Sequence, residues 1–178
     1  MAGMLPPLVL MTDDERLPDP HPAAEALPRG SLIVLRARND ARRAELAAAF
    51  RRLSHLLLLI ANDAALAARI GADGVHLSEE DARCAAHVRA LHPRWLITAA
   101  AHGRPLSGPF DAVFLSPIFP TRSHISAAPL GAARANALVR QTRTPTYALG
   151  GITPANARLL RGFAGIAAIG ALDVQHGV

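Results

Sequence analysis

The stretch from Leu56 to Asp81 limits what this chain can fold into more than any other part of it. The apolar run Leu56-Leu57-Leu58-Leu59-Ile60 stops at Asn62-Asp63. A short amphipathic piece leads to Gly71, then Gly74-Val75-His76-Leu77 runs into Ser78-Glu79-Glu80-Asp81. The order is buried strand, polar tip, helix, buried strand, polar tip. In a parallel α/β barrel all strand C-termini open onto one mouth, and chemistry collects there. Asp63 and Asp81 then lie one βα unit apart at the same mouth. Two such carboxylates suit a divalent metal, Mg²⁺ above all, which takes one or two carboxylates and completes its shell with phosphate oxygens. Both positions equally suit the capping of a helix start.

The rest of the chain repeats the pattern. Strands are expected at Leu8–Thr12, Ser31–Leu35, Leu56–Ile60, Gly74–Leu77, Trp95–Ala100, Asp111–Leu115, Thr146–Leu149 and Gly165–Ile169. Helices are expected over 21–27, 41–53, 63–70, 79–91, 130–141 and 153–162, with Gly71 closing the third and Thr153-Pro154 opening the last. Alternation of this kind gives an α/β fold, a (β/α)₈ TIM barrel, as a single domain over 1–178. The barrel is trimmed. Only Gly103 to Pro109 separates the fifth strand from the sixth, too short and too rich in Pro and Gly for a helix, and little chain follows the eighth strand. Missing helices would uncover apolar wall, so a homodimer is expected.

Charge and composition narrow the function. The net charge is +5 and all 19 basic residues are arginine. Without lysine, no Schiff-base chemistry can run through a lysine amine. Most arginines fall on expected helix faces, without the clustering and stacking aromatics of a nucleic-acid stripe. A basic mouth for small phosphorylated substrates fits better. No apolar run reaches the ~18 residues of a membrane span. No basic stretch precedes an apolar one at the N-terminus, and one cysteine, Cys84, suits a reducing compartment, so a cytoplasmic location is expected.

The strand tips supply the candidate residues. Arg36 and Arg38, two apart at the end of the second strand, would point the same way and could clamp a diphosphate bidentately. Asn62 and Asp63 follow the third strand and Asp81 the fourth. His102 ends the fifth and could act as general acid or base, whereas His76, inside the fourth, reads as a core residue. Thr121, Arg122, Ser123 and His124 follow the sixth. Gly150-Gly151 and Gly170 follow the seventh and eighth, where barrel loops often bind phosphate; Gly150-Gly151 also reads as an ordinary tight turn.

These residues resemble a known family. The segments Leu35-Arg36-Ala37-Arg38, Ile60-Ala61-Asn62-Asp63, Gly71-Ala72-Asp73-Gly74-Val75-His76-Leu77 with Asp81, Pro117-Ile118-Phe119-Pro120-Thr121, Ala148-Leu149-Gly150-Gly151-Ile152 and Gly165-Ile166-Ala167-Ala168-Ile169 are similar, in order, to the thiamine phosphate synthase and TenI-type thiazole tautomerase family. The resemblance implies a transferase that joins a pyrimidine methyl diphosphate to a thiazole phosphate. It implies that Asp63 and Asp81 hold Mg²⁺, that Arg36, Arg38 and Asn62 grip the leaving diphosphate, and that Thr121, Ser123, Gly151 and Gly170 hold the thiazole phosphate. Val34 and Ala100 stand where the family's synthases carry glutamine and serine, and Arg38 and His124 stand for lysines. Tautomerase-like members use a histidine matching His102 and need no metal, so that activity is one alternative; a catalytically degenerate barrel that only binds thiamine phosphate is the other.

Overall fold

The computed structural model describes residues 5–104, 106–121 and 128–169. Eight parallel strands close on themselves in chain order: β1 (Leu8–Met11), β2 (Leu32–Leu35), β3 (Leu57–Ala61), β4 (Gly74–Leu77), β5 (Leu96–His102), β6 (Ala112–Ser116), β7 (Thr146–Leu149) and β8 (Gly165–Ala168), with β8 pairing back onto β1. This is the expected (β/α)₈ barrel. The strands are short and apolar because they are covered on both sides, by side-chain layers within and helices without. All four residues of β2 and all five of β6 are buried. Inside, Phe114 stacks on Tyr147 with ring centroids 4.9 Å apart. The Tyr147 hydroxyl donates to the Pro6 carbonyl at 2.5 Å, which ties the segment before β1 across the N-terminal end of the barrel. Pro7 O accepts from Ile166 N–H at 2.9 Å at the same end.

The outer layer holds α1 (His21–Glu25), α2 (Asp40–Arg51), α3 (Ala64–Ile70), α4 (Ala85–Leu91), α5 (Ala132–Val139) and α6 (Pro154–Ala157). Local chemistry sets their ends. The Asn39 side chain accepts from Arg42 N–H, the Asp63 side chain from Leu66 N–H, and Thr153 and Asn156 form a reciprocal capping box. Gly71 ends α3 in the left-handed conformation at φ 65°. Among the described residues no helix separates β5 from β6; Leu106 and Phe110 pack instead against the buried core. The expected shortness of the last helix concerns residues 170–178, which lie outside the described residues.

β5 finishes at His102, as expected, because Ala100, Ala101 and His102 pair with Phe114, Leu115 and Ser116. Two helix boundaries differ markedly from the sequence expectation. The helix expected from residue 79 begins as a 3-10 turn, Asp81–Cys84, after a Ser78–Asp81 turn. α6 ends at Ala157, well short of Gly162. Nor are all helical arginines solvated. Arg89 donates to Trp95 O at 2.7 Å and to Asp111 at 2.5 Å, bracing the base of β5.

Candidate functional site

The strand C-termini surround a cavity of about 590 Å³. Its apolar part comes from Met11, Ala61, Ala100 and Leu149, and its polar rim includes Arg36, Arg38, Arg43, Asn62, Ser78, His76, His102 and Ser116. Val34 is fully buried in the core and is not part of the lining.

The tip of β1 fixes the tip of β2. Thr12 Oγ1 donates to Arg36 O and accepts from Arg36 N–H, both at 2.8 Å. The Arg36 guanidinium lies 3.3 Å from Asp13, and its side chain is 41% exposed. Arg38 pairs with Glu15 at 2.7 Å but is 85% exposed, and its N–H donates to Asp14. Both arginines therefore reach the mouth, but from beyond β2 and in unlike settings, not as the matched pair expected of alternate strand positions. Burial pushes the Arg36 pKa below its usual value, with the Asp13 charge opposing the shift. Asp13 is held below the usual carboxylate range. Burial works against this, and the hydrogen bonds and charge of Arg16, with the charge of Arg36, prevail. Asp13, Asp14 and Glu15 all line the cavity. Sequence reasoning gave them no role, although the rule that strand tips share a mouth applies to β1 as well.

Asn62 sits at the mouth with φ 52°, and its side-chain oxygen accepts from Ser78 N–H at 2.7 Å, joining the tips of β3 and β4. Asp63 caps α3 through Oδ1 and faces Arg43 at 3.4 Å through Oδ2. Asp81 Oδ2 accepts from Ser78 Oγ at 2.6 Å. The two aspartates thus lie on adjacent tips, just outside the lining residues Asn62 and Ser78. Each keeps lone pairs beyond these bonds. Among the described residues no group of three or more His, Cys, Asp or Glu forms a cage. The donor set fits a cation that brings most of its ligands with it, as Mg²⁺ does when bound to phosphate oxygens and water.

Two histidines face the cavity. His76 is buried, with Nδ1 2.9 Å from Thr98 Oγ1 and its ring edge-on to Phe114. Burial, with the nearby Arg36 charge, pushes its pKa down to about 3. The folded protein therefore excludes a proton that the unfolded chain binds below its ordinary value of 6.5. Stability from this group is complete above pH 6.5 and falls as pH drops toward 3, by about 2 kcal/mol between pH 6.5 and 5. Urea midpoints at pH 7 and pH 5 should show that loss in the wild type and a smaller one in His76→Gln. His102, at the end of β5, is instead paired. Glu79 Oε2 accepts from its Nδ1 at 2.6 Å and from its N–H at 3.1 Å. Sequence offered Glu79 only as a neighbour of Asp81 at the tip of the fourth strand; its contact with His102 spans two strand tips and has no local signal.

On the far side, Thr121 follows β6, and Gly150 and Gly151 follow β7. The two glycines have φ 95° and 63°. A Cβ on Gly151 would lie 2.3 Å from Pro120 O, and Phe119 N–H donates to Gly150 O at 3.0 Å. Their identity is thus accounted for by the close seating of the 117–120 loop, the tight-turn reading of the pair. Arg122, Ser123, His124 and Gly170 lie outside the described residues.

Residues 8–172 match the family described as thiamine monophosphate synthase. The thiamine-phosphate synthase of Alcanivorax borkumensis is 32% identical over 94% of this chain and 85% of that protein. That of Levilactobacillus brevis is 33% identical over 71% of this chain and 63% of that protein. Thiamine phosphate pyrophosphorylase from Pyrococcus furiosus superposes with a TM-score of 0.78 at 25% identity, over 98% of this chain and 90% of that one. With that match running from β1 through β8 and the same barrel in the solved relative, the chain belongs to the thiamine monophosphate synthase family.

Proposed function

We propose that the barrel mouth joins a pyrimidine methyl diphosphate to a thiazole phosphate, releasing diphosphate and giving thiamine phosphate, with the help of Mg²⁺. Membership of its family makes the chain a transferase of thiamine biosynthesis. The observation that carries the detailed reading is Arg36: a half-buried guanidinium, its backbone locked to Thr12, lining a cavity whose rim continues through Asn62 and Ser78 on the neighbouring strand tips. Such a group, fixed before the substrate arrives, stabilises charge where it develops on a departing diphosphate. Arg38 and Asn62 would add hydrogen bonds to the same leaving group. Asp63 and Asp81 would hold Mg²⁺, which when bound supplies further positive charge to the diphosphate oxygens. Thr121, Ser123, Gly150, Gly151 and Gly170 would receive the thiazole phosphate. Met11, Ala61, Ala100 and Leu149 give the ring systems an apolar floor that keeps water from the carbon–oxygen bond being cleaved.

A second reading is favoured by the Glu79–His102 pair. A histidine with Nδ1 committed to a carboxylate is oriented for proton transfer, which would serve tautomerisation of a thiazole phosphate without metal. One set of assays decides. Purified protein given both substrates should form thiamine phosphate, and EDTA should stop it. EDTA-resistant tautomer conversion that vanishes in His102→Ala, with no thiamine phosphate formed, would replace the first reading by the second. A homodimer covering the wall near β5 and β6, and a cytoplasmic location, belong to the same proposal; gel filtration of the assayed protein at monomer size would remove the dimer from it. No helix among the described residues is long and apolar enough to cross a membrane.

A further inference from the structure

The arginines at the mouth already have anions. Arg36 faces Asp13 at 3.3 Å, Arg38 faces Glu15 at 2.7 Å, and Arg43 faces Asp63 at 3.4 Å. These pairs are not equivalent. Arg38 and Glu15 are both largely exposed, so their pairing is weak and opens readily. Asp13 differs. Its side chain is 17% exposed, and one carboxylate oxygen takes both Arg36 and Arg16, the latter at 3.0 Å. Its other oxygen accepts from the N–H groups of Arg16 and Glu15 at 3.1 and 3.3 Å. Asp13 is therefore a fixed negative charge in the cavity wall, built into the tip of β1.

We propose that Asp13 is a positioning residue that holds the Arg36 guanidinium over the cavity and makes the mouth take diphosphate as its magnesium complex rather than as the bare anion. This rests on the reading of the mouth as a diphosphate site. A bare diphosphate approaching Arg36 meets the Asp13 carboxylate at the same guanidinium. Two anions sharing one cation repel, and at a partly exposed wall a like charge a few ångströms away weakens binding by about tenfold. A divalent cation travelling with the diphosphate cancels most of its charge and removes that penalty. Arg16 moderates the effect because it draws on the same Asp13 oxygen.

Calorimetry with inorganic diphosphate, with Mg²⁺ or with EDTA, tests this on the full chain. The wild type should bind at least about tenfold more tightly with Mg²⁺ than without. Asp13→Asn should lower that ratio by about tenfold, chiefly through tighter binding of the bare anion, and Asp13→Glu should restore it. Arg16→Gln should raise the ratio, because Asp13 then serves Arg36 alone. A merely structural role for Asp13 would weaken both forms alike and leave the ratio unchanged, which would overturn the proposal. If Asp13→Asn fails to fold, an unchanged ratio in Arg16→Gln overturns it instead. A wild type that binds the magnesium complex while Asp13→Asn keeps its ratio removes this inference alone. A wild type that binds neither form removes the diphosphate site and this inference together.

Discussion

Replacing Arg36 by alanine is expected to lower kcat/KM for thiamine phosphate formation by about 10²–10³, the usual cost of losing one fixed group that stabilises developing charge. Arg38→Ala should cost less than about tenfold, because an exposed side chain in a weak surface pair is not held in place before the substrate arrives. The contrast follows from the β1 tip. Thr12 fixes both backbone polar groups of Arg36, and Asp13 fixes its guanidinium. Arg36→Lys should recover little, since a point charge lacks the planar fork that meets two phosphate oxygens at once. The loss should appear in kcat as well as in KM, because the charge on the leaving group grows as the bond breaks. Steady-state kinetics on the three variants check this. Equal, small effects at both positions would mean that the grip on the diphosphate lies elsewhere.

Gly151→Ala is expected to destabilise the barrel by about 2–4 kcal/mol, from strain at a left-handed φ together with overpacking. The new Cβ would sit 2.3 Å from Pro120 O and 2.9 Å from Phe119 C, and both are backbone atoms that cannot swing aside. The loop would have to lift from the β7 tip, giving up the bonds from Ile118 N–H to Leu149 O and from Phe119 N–H to Gly150 O. Thermal denaturation should show a drop of roughly 5–15 °C for a domain of this size. A melting point within 2 °C of wild type would mean the loop accommodates the methyl group without loss.

Much of the fold could be read from the sequence because the strands are short apolar runs ended by polar residues, Gly or Pro, as at Leu32–Leu35 before Arg36 and Leu57–Ala61 before Asn62-Asp63. The end of β5 at His102 was legible too, although Ala100 and Ala101 carry little strand preference and pairing with β6 keeps them in the sheet. The aspartates at the tips of β3 and β4 were legible because each lies in the short polar stretch that follows its strand. What each does is less so, since capping and metal binding ask for the same residue in the same place. The pairing of Arg36 with Asp13 was not legible. The two are 23 residues apart, and closure of β1 against β2 alone brings them together. The link from Glu79 to His102 has the same span and the same cause.

The bond from the Tyr147 hydroxyl to Pro6 closes the end of the molecule that carries no chemistry. Anchoring the protein to a surface through the segment before β1 would therefore leave its mouth turned outward to the solution. Immobilised in that orientation, the barrel should meet dissolved reactants as readily as it does when free.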